Sequence, residues 1–328
     1  MNYIVLDLEW NQCPSGKAHE DRALPFEIIE IGAVRLNEAH QITGRFREII
    51  KPQVYTTLHF RTREIVALRA IDFANARCFP EVAADFFSWC RDCGESGAEE
   101  ACKPEFCTWG PADLTELQRN LSYYNIKSPF AFPLMYFDIQ KIFSIVYEDR
   151  KSRRSLEYAI DFLSIPKTVA FHSALSDAIY TSLVMQQLEE SQIRENSSVD
   201  YFRTPLVRKE EIYLHYNTYD KFISKLFVSR NQAMKDPVVT STRCPLCQKA
   251  AQKKIRWFSA GSHNQFCLAW CPRHGYIKGK IRLRLNADNM TYAVKTLKPI
   301  KEEEANLLFE KKESVKVKRQ SHRNAMRD

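Results

Sequence analysis

The chain has 328 residues, 45% of them apolar, and a formal net charge of +8. That length suits two domains. It holds no apolar run of the roughly 18 residues a membrane span needs, and no basic-then-apolar export pattern at its start, so a cytoplasmic protein without membrane contact is expected. The ten cysteines, several in C-x-x-C pairs, then read as reduced thiols, some of them holding metal.

Charge divides the chain. Residues 1–200 carry 21 Lys+Arg against 29 Asp+Glu, a net −8, whereas residues 201–328 carry 27 against 11, a net +16. An acidic half fits metal-binding carboxylates, and a basic half points to a polyanion partner.

The apolar run Tyr3–Leu6 reads as a buried strand ending in Asp7 and Glu9. Ile28–Leu36 and Gly44–Ile50 follow as strands with short links, which predicts an antiparallel meander. Helical spacing covers Thr62–Ala70 and Pro80–Cys93, and a polar loop spans 94–105. Phe106–Trp109 is a strand, Asp113–Tyr124 a helix, and Phe137-Asp138 close another strand. Ile139–Tyr147, Leu156–Leu163 and Ser173–Glu190 are helical. Residues 191–240 read as a helical linker, 241–300 as a small basic metal module, and 301–328 as a charged, disordered tail.

Asp7 and Glu9 are two apart on a strand and so share a face. Two carboxylates that close repel unless a cation sits between them, and hard ions such as Mg²⁺ or Mn²⁺ prefer such oxygens. Asp177 lies a little over one helical turn past His172 and can approach the same region. Asp113 opens a helix, as does Asp138, whose carboxylate reads as a cap.

This ordered set, D-x-E at 7–9, Asp113 within the stretch Trp109–Leu117, and H-x4-D at 172–177, resembles the DEDDh 3′–5′ exonucleases, which include oligoribonuclease and RNase T. The resemblance covers about residues 1–190. It implies an α/β, RNase H-like exonuclease fold with a mixed central sheet flanked by helices. It also implies two Mg²⁺ or Mn²⁺ ions held by Asp7, Glu9, Asp113 and Asp177, with Asp7 shared. Glu9 would help orient the attacking water and His172 would act as general base, a role suited to an imidazole of ordinary pKa, roughly 6.5. Leu8 and Trp10 flank the acidic pair, where the family wedges side chains against the terminal base. Trp10 and Phe171 read equally as stacking platforms and as part-buried core aromatics.

A second metal is expected in the basic half. Cys244-x2-Cys247 and Cys271-x2-His274 have the ligand types and spacing of a tetrahedral, structural Zn²⁺ site of zinc-ribbon kind, with Cys267 as an alternative ligand. Cys90, Cys93, Cys102 and Cys107 offer a less regular set for another zinc. Lys278, Lys280, Arg282 and Arg284 alternate along a strand-like stretch and would share one face suited to phosphates. The expected function is trimming of single-stranded nucleic acid from its 3′ end, RNA slightly before DNA. The alternatives are a DNA-directed repair or proofreading exonuclease, and a catalytically silent nucleic-acid-binding protein on the same fold. The resemblance leaves monomer and homodimer both open.

Overall fold

Alternating burial along the first strand sets up the architecture. In the computed structural model, which describes residues 2–66, 68–92, 103–261 and 264–324, β1 (Asn2–Gln12) points Ile4, Leu6 and Leu8 into one core and Tyr3 and Val5 into another. A strand with apolar residues on both faces belongs at the centre of a sheet covered on both sides. β2 (Phe26–Leu36) and β3 (Ile42–Ile49) extend the sheet antiparallel on one side of β1. After α1 (Phe60–Ile65) and α2 (Phe79–Arg91), β4 (Pro104–Thr108) runs parallel to β1 on its other side. Then come α3 (Ala112–Tyr123), the parallel β5 (Met135–Asp138), α4 (Ile139–Tyr147), α5 (Leu156–Phe162), α6 (Ala174–Met185), α7 (Glu190–Arg194) and the short antiparallel β6 (Ser198–Val199). The six strands lie in the order β3-β2-β1-β4-β5-β6. This is the mixed α/β, RNase H-like arrangement that the resemblance implied. Residues α2 and α3 supply pack with Leu8; those of α4, α5 and α6 pack with Val5.

The predicted helix over 62–70 is displaced: α1 stops at Ile65, and a short 3-10 turn follows at Ala70–Phe73. The helix expected over 173–190 breaks at Met185, and α7 begins separately. Three polar latches tie the end of this unit to its earlier strands and helices. The Tyr3 hydroxyl donates to Glu190 at 2.6 Å, and Arg194 binds both Glu105 oxygens at 2.7 and 2.6 Å. Asp200 accepts from Thr115 at 3.0 Å and Gln118 at 2.8 Å.

Contacts divide the chain into residues 1–203 and 204–328. The second unit is a six-stranded antiparallel sheet in the order β7-β8-β12-β11-β10-β9. Its elements are β7 (Ile212–Tyr216), β8 (Tyr219–Ile223), α8 (Arg230–Lys235), α9 (Pro237–Thr240), β9 (Gln252–Ser259), β10 (Asn264–Cys271), β11 (Gly275–Leu285), β12 (Thr291–Pro299) and α10 (Glu302–Asn324). Part of the stretch expected to be a helical linker is therefore a hairpin, β7–β8, whose alternating pattern is masked by exposed aromatics. The tail expected to be disordered forms α10 as far as Asn324; Ala305 and Leu308, one turn apart, bury against Phe266 and Leu268.

Candidate metal centre and nucleic-acid surface

The carboxylates meet because of one missing side chain. Asp7 pairs with Gly32 across the β1–β2 ladder. A Cβ on Gly32 would stand 2.1 Å from the carbonyl carbon of Ala174, so only glycine lets the first turn of α6 lie against β2. Ser173 caps that turn by accepting from the Ser176 N–H. Asp177, in the same turn, thereby reaches Asp7 and Glu9, and one ligand oxygen of each lies within 4.8 Å of the others. Asp113 comes from α3, which packs into the other core, and accepts from the Leu8 backbone N–H at 3.2 Å. It stands outside that tight trio but within electrostatic reach of Asp7. His172 is exposed just ahead of α6, in left-handed backbone at φ 69°.

Burial and mutual repulsion mark the cluster. Burial, then Asp113 and Asp177, hold the Asp7 carboxyl well above the usual carboxylate range. Burial and then Asp177 push Glu9 up to about 8. Burial lifts Asp113 to about 7 against the pull of its own and the Leu8 N–H groups. Burial lifts Asp177 to about 6, opposed by the backbone N–H and the ring of His172. A site whose acids resist ionising together is one where a bound cation changes most. The donor set is all oxygen, and the buried Asp177 Oδ1 has no hydrogen-bond partner among the described residues. Those observations fit a hard divalent ion.

Glu30 belongs to this neighbourhood and was missed in the sequence. It pairs with Glu9 across the ladder, is fully buried, accepts on Oε1 from Arg47 Nε–H at 2.7 Å, and has no partner for Oε2 among the described residues. The signal was a lone charge inside the apolar run 28–31.

Other expected residues fall differently. The Leu8 side chain is buried in the core, since alternation turns it away from Asp7 and Glu9, so no wedge against a base is available there. What Leu8 brings to the site is its N–H. Trp10 is half-buried beside Phe26 at 5.6 Å, and Phe171 stacks on Tyr180 at 4.4 Å. Asp138 caps α4 by accepting from the Lys141 N–H. Cys90 and Cys107 sit in different cores on opposite faces of the sheet, which removes the basis for a shared ion; Cys93 and Cys102 lie outside the described residues.

In the second unit, ligand atoms of Cys244, Cys247, Cys271 and His274 lie within 4.8 Å of one another. The first pair sits on a knuckle closed by the Cys244 N–H to Lys249 carbonyl bond at 2.9 Å. The second forms the β10–β11 turn, where Gly275 takes φ 76°. Burial pushes the Cys244 thiol up to about 11. Against desolvation, the N–H groups of Arg273 and His274 draw Cys271 down to about 6. Such a soft, four-ligand set suits zinc. Cys267 is buried within β10, its thiol pushed up to about 12 mainly by burial, and stands apart from the four. On β11, Lys278, Lys280, Arg282 and Arg284 do alternate with buried Ile281 and Leu283, and Lys278 is paired with Glu304 of α10 at 2.6 Å.

A mixed sheet with acids gathered at its central strand defines a nuclease of the RNase H-like class. The chain belongs to the RNase T exonuclease family, whose sequence profile matches residues 4–185. Among solved structures it is similar to the nuclease domain of 3′hExo, a DEDDh family member bound to rAMP, with a TM-score of 0.50 at 20% identity over 61% of this chain and 96% of that one. It is also similar to a 3′-exonuclease in specific recognition of the histone mRNA stem-loop, with TM-score 0.47 and 18% identity over 57% and 80%. A third similar structure is cell-death related nuclease 4, with TM-score 0.48 and 17% identity over 71% and 70%. At these identities the likeness is one of fold. No curated protein sequence matches the chain. No helix among the described residues is long and apolar enough to cross a membrane.

Proposed function

We propose that this nuclease is a metal-dependent 3′–5′ exonuclease that hydrolyses phosphodiester bonds at the 3′ end of single-stranded nucleic acid, RNA slightly before DNA. The observation that carries this reading is the gathering of Asp7, Glu9 and Asp177, with Asp113 behind them, beside an exposed histidine. Those four carboxylates would hold two Mg²⁺ or Mn²⁺ ions, which when bound polarise the phosphodiester and favour ionisation of water. Glu9 orients the attacking water, and an imidazole nitrogen of His172 takes its proton. The exposure of His172 leaves that nitrogen open to an arriving strand end. The half-buried Trp10 ring is the aromatic surface nearest the acidic pair in sequence and is suited to the terminal base.

Cys244, Cys247, Cys271 and His274 would hold one structural Zn²⁺, whose four protein ligands leave no place for a reacting water. Lys280, Arg282 and Arg284 would track the phosphates of the bound strand. The preference for RNA follows the rAMP carried by 3′hExo. Matched single-stranded RNA and DNA, 5′-labelled and incubated with Mg²⁺ or Mn²⁺, test the reading. The expected result is a ladder shortening from the 3′ end, faster for RNA. Immediate release of the label as a mononucleotide would reverse the direction.

A further inference from the structure

A cavity of about 570 Å³ opens beside the β7–β8 hairpin and beneath the first zinc knuckle. Its size is that of a small-molecule site. One wall is aromatic. Tyr213 and Phe222, partners across the hairpin, hold their rings 4.7 Å apart, and the Tyr213 side is 64% exposed. The floor is cationic. Lys295 is buried with its ammonium 4.9 Å from the Phe222 centroid, and among the described residues it bonds uncharged oxygens alone: the Val238 carbonyl, and the carbonyl and hydroxyl of Ser241. At the rim stands the exposed Arg243, whose guanidinium is held by no carboxylate among the described residues.

Nearby acids offset these cations only in part, the pull of Glu211 on Lys295 being smaller than the push of Lys253. Asp220 is engaged by His215 and Gln248. Glu211 and Asp236 are both bound by Arg208. Lys221 also lines the cavity, and Lys253 acts on Lys295 from nearby. The cavity therefore carries net positive charge below a flat aromatic surface, with the Gln248 amide at its edge. A simple anion would use the cations and leave the ring idle, as would an acidic peptide. A nucleotide uses both, because its base has a face to stack and its phosphate a charge to pair.

We propose that this cavity binds one nucleotide, its base against Tyr213 and its phosphate toward Arg243 and the field of Lys295. The inference deepens the nuclease reading by giving the second unit a defined subsite, and the ligand is either a unit of the bound strand or the released mononucleotide.

The test uses the full chain carrying Asp7→Asn, so that strands stay intact, and measures affinities for AMP, a single-stranded 12-nucleotide RNA and inorganic phosphate by calorimetry. In that background Tyr213→Ala should weaken the nucleotide ligand by about 5–150-fold, the range set by loss of one base–aromatic stack. Arg243→Gln should weaken it too and lower the salt slope by about one. Both side chains are exposed, and unchanged melting curves would show the variants folded. An effect on AMP assigns a product pocket, and an effect on the RNA alone assigns a strand subsite. Unchanged affinities for both ligands overturn the proposal, as does phosphate binding as tightly as AMP without any effect of Tyr213→Ala. The binding result does not require hydrolysis, so an inactive wild-type chain would count against the nuclease reading alone.

Discussion

The two units gather like-charged groups by opposite means. In the first, Asp7, Glu9, Asp113 and Asp177 are brought together by long-range packing, and their acids stay hard to ionise. In the second, two tight turns place Cys244, Cys247, Cys271 and His274 largely through local chain geometry, and turn N–H groups already favour one thiolate. On the proposed reading, the difference separates a site open to substrate from one that would close around a single ion. Each unit also holds a glycine that a side chain could not replace: Gly32 admits α6 beside the carboxylates, and Gly279 admits the Cys267 sulfur and the Trp257 ring within the second sheet.

The largest expected effect falls on the open site. Asp7→Asn should reduce hydrolysis by more than His172→Ala, which should lower it by about 10²–10⁴-fold as for a lost general base. Equal rates for wild type and His172→Ala at neutral pH would remove the histidine from the proposed mechanism. At the closed site, Cys271→Ser should abolish a measured zinc content of one per chain and lower the melting temperature of the second unit. The loss should fall short of the roughly 10–16 kcal/mol that zinc gives isolated finger peptides, because the sheet keeps a core around Ile281 and Ala293. Next come the glycines. Gly32→Ala and Gly279→Ala should each cost about 1–3 kcal/mol or more by overpacking, and only Gly32→Ala should also slow hydrolysis. Denaturant titrations with parallel nuclease assays decide this.

The smallest effect is in pH. Glu9, Asp113 and Asp177 stand at about 8, 7 and 6, above the ordinary carboxylate values near ~4. The folded protein without divalent ions then binds more protons than the unfolded chain across that interval. Stability from these groups is complete below about pH 4 and is lost as pH rises through 6 to 8. Added Mn²⁺ should therefore raise the melting temperature more at pH 8 than at pH 6, and the reverse order would contradict the assignment.

Local pattern made some of this legible. Asp7 and Glu9 follow an apolar run with a spacing of two, and the two knuckles announce themselves by C-x-x-C and C-x-x-H. The same alternation placed Leu8 on the opposite face, which the resemblance to wedge residues obscured. Asp113 was marked by its helix start and by the stretch Trp109–Leu117, but neither shows its partner, the Leu8 N–H, 105 positions away. Glu30 looked like an interruption in a strand because its significance lies in register with Glu9. In the tail, dense charge hid the one-turn spacing of Ala305 and Leu308. The β7–β8 hairpin was hidden by Tyr213, an exposed aromatic where a polar residue was expected.

The latches described for Tyr3, Glu105 and Asp200 bear on how far the nuclease portion can be trimmed. The family profile ends at residue 185, whereas the groups that engage these side chains include Glu190 and Arg194, and Asp200 is itself beyond that boundary. A fragment cut at the profile's edge would strip Glu105 and Gln118 of their counterparts and expose the seam along β4 and β5. A piece that keeps all these bonds accordingly runs past Asp200, about a turn-and-strand longer than the family profile marks out.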